Sequence, residues 1–235
     1  MYQSIIAKQN DIYLEENTHT YIVQNCDIQF TSVTEFINNF FEPFNEIKIA
    51  TKLSKMVKYQ HLSVEDILKD WKERRDRGTI IHKELEDYLK NKNKDLELDL
   101  KSIQGINFLK TKCINDNNLL FPEVKIYSKK LQIAGTIDLM IYNKQKNRIY
   151  LIDWKTNAQI KTKGYKKGIM FPANQIDDCS FNRYNLQLSL YQYIIENFYN
   201  VQVDGLYILH LKESSHDILN CKFQAQHVLD MLKIK

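Results

Sequence analysis

The chain has 235 residues, of which 43% are hydrophobic, 26% charged and only 3 proline, enough to bury a substantial core as one compact unit. Its 33 Lys and Arg against 29 Asp and Glu give a net charge of +4, which is compatible with a polyanionic partner without demanding one. The four cysteines (Cys26, Cys113, Cys179, Cys221) form no CxxC pair, there is no GxxxxGK[ST] loop, and no run approaches the roughly 18 apolar residues of a membrane span. These absences argue against a zinc knuckle, an iron–sulfur cluster, a P-loop nucleotide site and a membrane anchor. The first residues carry no basic region followed by an apolar run, so the expectation is a soluble intracellular protein with reduced thiols.

In chain order, residues 11–30 alternate apolar and polar side chains around an Asn-containing turn, which predicts short antiparallel strands. A helix follows in TSVTEFINNFF, where Ser32 and Glu35 have capping-box spacing. Ser63 is the candidate N-cap of a longer helical stretch, SVEDILKDWKERRDRGTIIHKELEDYLK, which Gly78 is expected to split in two. After a charged connection near residues 91–98, LKSIQGINFLKTKCIN predicts another helix, and the period then changes to three successive strands between Phe121 and Thr156. A polar, basic loop over about 157–183 leads to the helix YNLQLSLYQYIIENFY, two strands and a C-terminal helix. This order predicts an α/β fold with a central mixed β-sheet flanked by helices. Residues 1–60 read as an N-terminal β-ribbon and helical extension, and residues 61–235 as the core.

The most informative stretch is AGTIDLMIYNKQKNRIYLIDWKT. Strand periodicity puts Leu131, Ile133, Ile137, Leu139 and Ile141 on one face and Asp138 on the other, while Asp153 and Lys155 share a face of the next strand. A hairpin centred between Gln145 and Lys146 sets Asp138 opposite Asp153, and Thr136 opposite Lys155. Directly paired side chains sit roughly 4.5–5.5 Å apart at Cβ. Two carboxylates that close among apolar neighbours resist ionising together unless a cation lies between them. Hard oxygen ligands select Mg²⁺ or Mn²⁺, and an adjacent lysine can hold a water against an electrophile, an inventory that suits phosphodiester hydrolysis.

GTID followed by LIDWKT resembles the PD-(D/E)xK nuclease superfamily, in particular its RecB-like branch, with Ile137 standing where the name has proline. RGTIIHKELEDYL resembles the helix that supplies the branch's metal-binding histidine, here His82, which shares a stripe with Leu85, Glu86 and Leu89. NLQLSLYQYI resembles its Q-x-x-x-Y helix, here Gln187 and Tyr191, four apart on one helix face. With FPEVKIYS, whose Glu123 matches an acidic position of the branch, the resemblance covers most of residues 77–210. It implies a restriction-endonuclease-like core in which His82, Asp138, Asp153 and the backbone carbonyl of Trp154 hold one or two Mg²⁺ or Mn²⁺ ions. Lys155 would position and help deprotonate the attacking water, Gln187 and Tyr191 would shape the site, and Glu123 and Glu86 would support it from behind. Lys161, Lys163, Lys166, Lys167 and Arg183, interleaved with Tyr165, Phe171 and Phe181 in the following loop, have the composition that tracks a phosphate backbone and stacks bases.

The function implied is a metal-dependent DNA nuclease resembling stand-alone exonucleases of the mitochondrial genome-maintenance and phage types. It would act on DNA ends or single strands in replication, recombination or repair, with a replication or recombination protein as a further partner. The expected compartment is the cytoplasm, or that of a host cell if the chain is phage-encoded. The alternatives are a catalytically silent DNA-binding or scaffolding subunit and a structure-specific endonuclease.

Overall fold

The computed structural model describes residues 2–15, 18, 20–91 and 97–234. The turn expected around Asn17 and most of the charged connection near 91–98 lie outside them. Helix α1 (Gln3–Gln9) precedes a two-stranded antiparallel ribbon of β1 (Ile12–Glu15) and β2 (Thr20–Val23). A short strand, β3 (Thr31–Ser32), runs into α2 (Val33–Asn38), where the Ser32 side chain accepts the Glu35 amide at 3.1 Å. Asn45 caps α3 (Glu46–Ser54) in the same way. Neither α1 nor α3 was anticipated from the pattern of apolar residues.

Helix α4 (Val64–Leu89) opens on a full capping box of Ser63 and Asp66 and runs without a break through Gly78, contrary to expectation. The glycine serves packing: a Cβ there would lie 3.2 Å from Thr156 Oγ1, so its absence lets the helix approach the end of a core strand. Intrahelical pairs such as Arg74 with Asp70 and Lys72 with Asp76 support the exposed first half. Helix α5 (Leu100–Phe108), capped by Asp99, ends in a π-helical turn over Leu109–Cys113.

The core sheet is built by β4 (Asn118–Ser128), β5 (Ile133–Asn143), β6 (Arg148–Lys155), β7 (Val203–Leu211) and β8 (His216–Cys221). β5 pairs antiparallel with β4 and β6 and parallel with β3, whereas β6 and β7 run parallel, joined by the loop and α6 (Ser180–Phe198), so the sheet is mixed. Helix α7 (Ala225–Ile234) ends the described chain. Helices α2, α6 and α7 cover one face over Ile137, Met140, Leu151 and Ile208, and α4 and α5 cover the other over Leu139, Ile141, Trp154 and Leu209. The molecule is thus an α/β protein with a mixed sheet between helical layers. Among the described residues no helix is long and apolar enough to cross a membrane.

Two findings depart from the reading by periodicity. Ile133 and Ile137 face α6 while Leu139 and Ile141 face α4, so the apolar set does not stay on one face of β5. The cause lies at Glu123, which adopts a left-handed φ of 52°: the β4–β5 ladder pairs Pro122 with Leu139 and Val124 with Ile137 but omits Glu123 and Asp138 between them. The alternation of both strands inverts there. Second, residues 1–60 share the core, since Ile5, Val33, Phe36, Ile37 and Phe41 belong to the same buried cluster as the α6 face, and β3 is a strand of the main sheet.

Candidate metal centre

The site forms where the strands part. Leu139 pairs with Ile152, the register expected for the hairpin, but the ladder stops there and the Asp138 carboxylate takes the place of the next backbone acceptor, its Oδ2 receiving the Trp154 amide at 2.7 Å. Its Oδ1 lies 3.6 Å from Nδ1 of His82, carried in by the second half of α4. The distortion of β4 brings Glu123 to the same point, and His82, Glu123 and Asp138 each offer one ligand atom within 4.8 Å of the others. Glu123, read from sequence as a supporting residue, therefore stands among the converging groups.

Asp153, 3% exposed, is held from two sides. Gln187 Nε2 donates to its Oδ1 at 3.3 Å, and the Lys155 ammonium lies 2.6 Å from its Oδ2. Gln187 also reaches the Tyr191 hydroxyl at 3.5 Å, so the two residues of the Q-x-x-x-Y spacing meet at the carboxylate. Trp154 gives its amide to Asp138 and its carbonyl accepts from the His82 ring, while its indole is buried against Phe108 on the α4 and α5 side. Glu86, one turn beyond His82, is engaged by Lys83 and Lys90 and adds negative field at Glu123.

The electrostatics follow from this crowding. Burial raises the Asp138 and Glu123 carboxyls, and for Glu123 the Asp138 and Glu86 charges add to the effect. Burial also pushes Asp153 up to about 6 despite the Lys155 charge. For Lys155, burial alone would lower the ammonium, but the Asp153 and Asp138 carboxylates outweigh it and the net shift is upward. Burial, reinforced by the Lys155 charge, brings His82 down to about 4, leaving a neutral imidazole at neutral pH.

One imidazole nitrogen and two mutually repelling carboxylates form a donor set that fits a divalent cation.

The loop residues divide. Lys161, Lys163, Tyr165, Lys167 and Phe171 are exposed, and Tyr165 is fully so. Lys166 pairs with Glu42 at 2.5 Å. The Arg183 guanidinium is engaged internally: it forks onto Asp178, reaches Asn38 and the Glu42 carbonyl, and stacks on Phe41, so it anchors the loop to the α2–α3 connection. Sequence reasoning overlooked Tyr184, whose ring faces the Lys155 ammonium, and Tyr21 of the ribbon, whose hydroxyl meets Thr136 at 2.9 Å. Helical spacing offered one signal, because Tyr184 stands three residues before Gln187 on the same helix. Nothing local marked Tyr21.

No family model matches this sequence, and no curated protein matches it. Among solved structures, one titled "Crystal structure of SSO0001" aligns over 99% of this chain and 85% of that one, with 14% identity and a TM-score of 0.42. A likeness that distant says nothing about activity here.

Proposed function

We propose that the protein is a metal-dependent deoxyribonuclease of the PD-(D/E)xK type with a restriction-endonuclease-like core, acting on DNA ends or single strands as an exonuclease. The observation that carries this reading is the convergence of His82, Glu123 and Asp138 within 4.8 Å beside the Asp153–Lys155 pair. His82, Glu123 and Asp138 would hold a Mn²⁺ or Mg²⁺ ion, with Asp153 and the Trp154 carbonyl completing the set that the sequence resemblance implies. The chemistry such an ion supplies when bound is neutralisation of phosphate charge and acidification of a water.

The remaining roles belong to the chain. Lys155, charged and oriented by Asp153, would donate to the attacking water or a phosphate oxygen. Gln187 fixes the Asp153 carboxylate and is steadied by Tyr191. The exposed Lys161, Lys163 and Lys167, with Tyr165 and Phe171, offer ammonium groups and rings to a single strand.

The test is digestion of 5′- and 3′-end-labelled single-stranded and duplex DNA, with closed circles in parallel, in Mn²⁺ or Mg²⁺, using Lys155→Ala as control. Loss of linear but not circular substrate, abolished by the substitution, is the expected result. Discrete fragments from a circle would make the enzyme an endonuclease. Absence of cleavage by well-folded protein in both metals would overturn the reading in favour of a silent DNA-binding subunit.

A further inference from the structure

A lysine carries a point charge on a flexible four-carbon stem, so one contact does not fix where its protons point. The 2.6 Å contact with Asp153 defines one side of the Lys155 ammonium. A second contact comes from an aromatic face: the nitrogen sits 4.6 Å from the centroid of the Tyr184 ring, within cation–π range.

That ring is itself held. Its hydroxyl donates to Asn157 Oδ1 at 3.1 Å, and the Asn157 carbonyl accepts from His210 Nε2 of β7 at 2.6 Å. One residue earlier, the Thr156 carbonyl accepts from Lys101 of α5 at 2.7 Å. The segment leaving β6 is thereby pinned from two neighbouring elements, and Tyr184 is tied to it. Since Tyr184 and Gln187 lie three apart on α6, one helix face holds both ends of the ion pair, Gln187 the carboxylate and Tyr184 the ammonium.

We propose that Tyr184 is a positioning residue that fixes the Lys155 ammonium for the role given to it under the nuclease reading, on which this inference rests. Phenylalanine at 184 would keep the charged group over a ring and lose only the tie to Asn157; leucine would lose both.

The experiment compares Tyr184→Phe and Tyr184→Leu in the full chain, with Tyr184→Met replacing the leucine variant if the latter does not fold. Two quantities are read: kcat and KM on end-labelled single-stranded DNA in Mn²⁺, and the acylation rate of Lys155 by acetic acid N-hydroxysuccinimide ester, followed by peptide mass spectrometry without metal or DNA. In Tyr184→Leu, kcat should fall on the order of tenfold with KM little changed, and Lys155 should acylate several-fold faster. Tyr184→Phe should recover the larger part of both. Equal acylation in the phenylalanine and leucine variants, or a loss expressed in KM alone, would overturn the positioning role. A clear difference in acylation without turnover in the wild type would instead overturn the nuclease reading and leave the hold on Lys155 standing.

Discussion

Glu123 combines two costs that an ordinary strand residue avoids: a left-handed backbone, which is unfavourable for a residue with a Cβ, and a carboxyl crowded by Asp138 in a buried setting. Its folded pKa, raised to about 8 from an ordinary 4.5, means that the folded chain binds this proton more tightly than the unfolded one. The stability it confers is therefore full below about pH 4.5 and is lost as pH rises through 8. Glu123→Gln keeps the shape and removes the titration. In EDTA, the variant should melt close to the wild type near pH 5 and increasingly above it towards pH 8.5, whereas Mn²⁺ should raise its melting temperature less than that of the wild type. Parallel melting curves across that range would refute the crowding. At this scale Asp138, Asp153 and Lys155 were legible in the sequence from the hairpin that carries them, and Gln187 and Tyr191 from the resemblance of their spacing to a Q-x-x-x-Y helix, whereas the inversion of β5 beside Asp138 lay outside what strand periodicity shows. Glu123 was legible only as a neighbour, since no pattern of residue types announces a left-handed residue inside a strand. Arg183 reads as a DNA contact by composition, yet its position beside Asp178 turns it inward, a pairing that depends on how the loop folds back.

Elements were legible where the apolar period was long and uninterrupted. The helix around Gln187 and the strands β5 and β6 carry that signal; α1, with one buried residue, and α3, also with one, do not, because a helix lying mostly on the surface leaves little trace in the pattern. Gly78 misled in the opposite direction, its low helix propensity being overridden by the need for close approach to Thr156. Gly135 makes the same kind of demand on β5. A Cβ there would lie 2.6 Å from Cε1 of Tyr191 and 3.1 Å from Cγ2 of Val33, wedged between α6 and α2. Gly135→Ala should cost about 1–3 kcal/mol through overpacking. For a chain of this size that is a fall of several degrees in Tm. The variant should also disturb the contact of Tyr191 with Gln187. An unchanged Tm would show that α6 does not pack so closely on β5.

For the molecule as a whole, the consequential point is that the first 60 residues contribute side chains and a strand to the core instead of standing beside it. Phe36, Ile37, Phe40 and Phe41 are each no more than 5% exposed, and they share one cluster with Ile5, Val33 and the residues of α6. Tyr21 reaches from the ribbon to Thr136, two residues from Asp138. Burying a large apolar side chain contributes roughly 1.5–3 kcal/mol. These six apolar side chains alone therefore rival the roughly 5–15 kcal/mol by which a whole domain is stable. A chain reduced to residues 61–235 should lack a cooperative melting transition and bind a dye specific for exposed apolar surface, and the full chain should melt in one step by both circular dichroism and intrinsic fluorescence. A fragment that melts cooperatively near the temperature of the full chain would establish residues 1–60 as a dispensable extension. The sequence could suggest that extension because a resemblance confined to residues 77–210 leaves the rest unassigned; only the packing of α2 against α6 and of β3 against β5 shows that the sheet is incomplete without it.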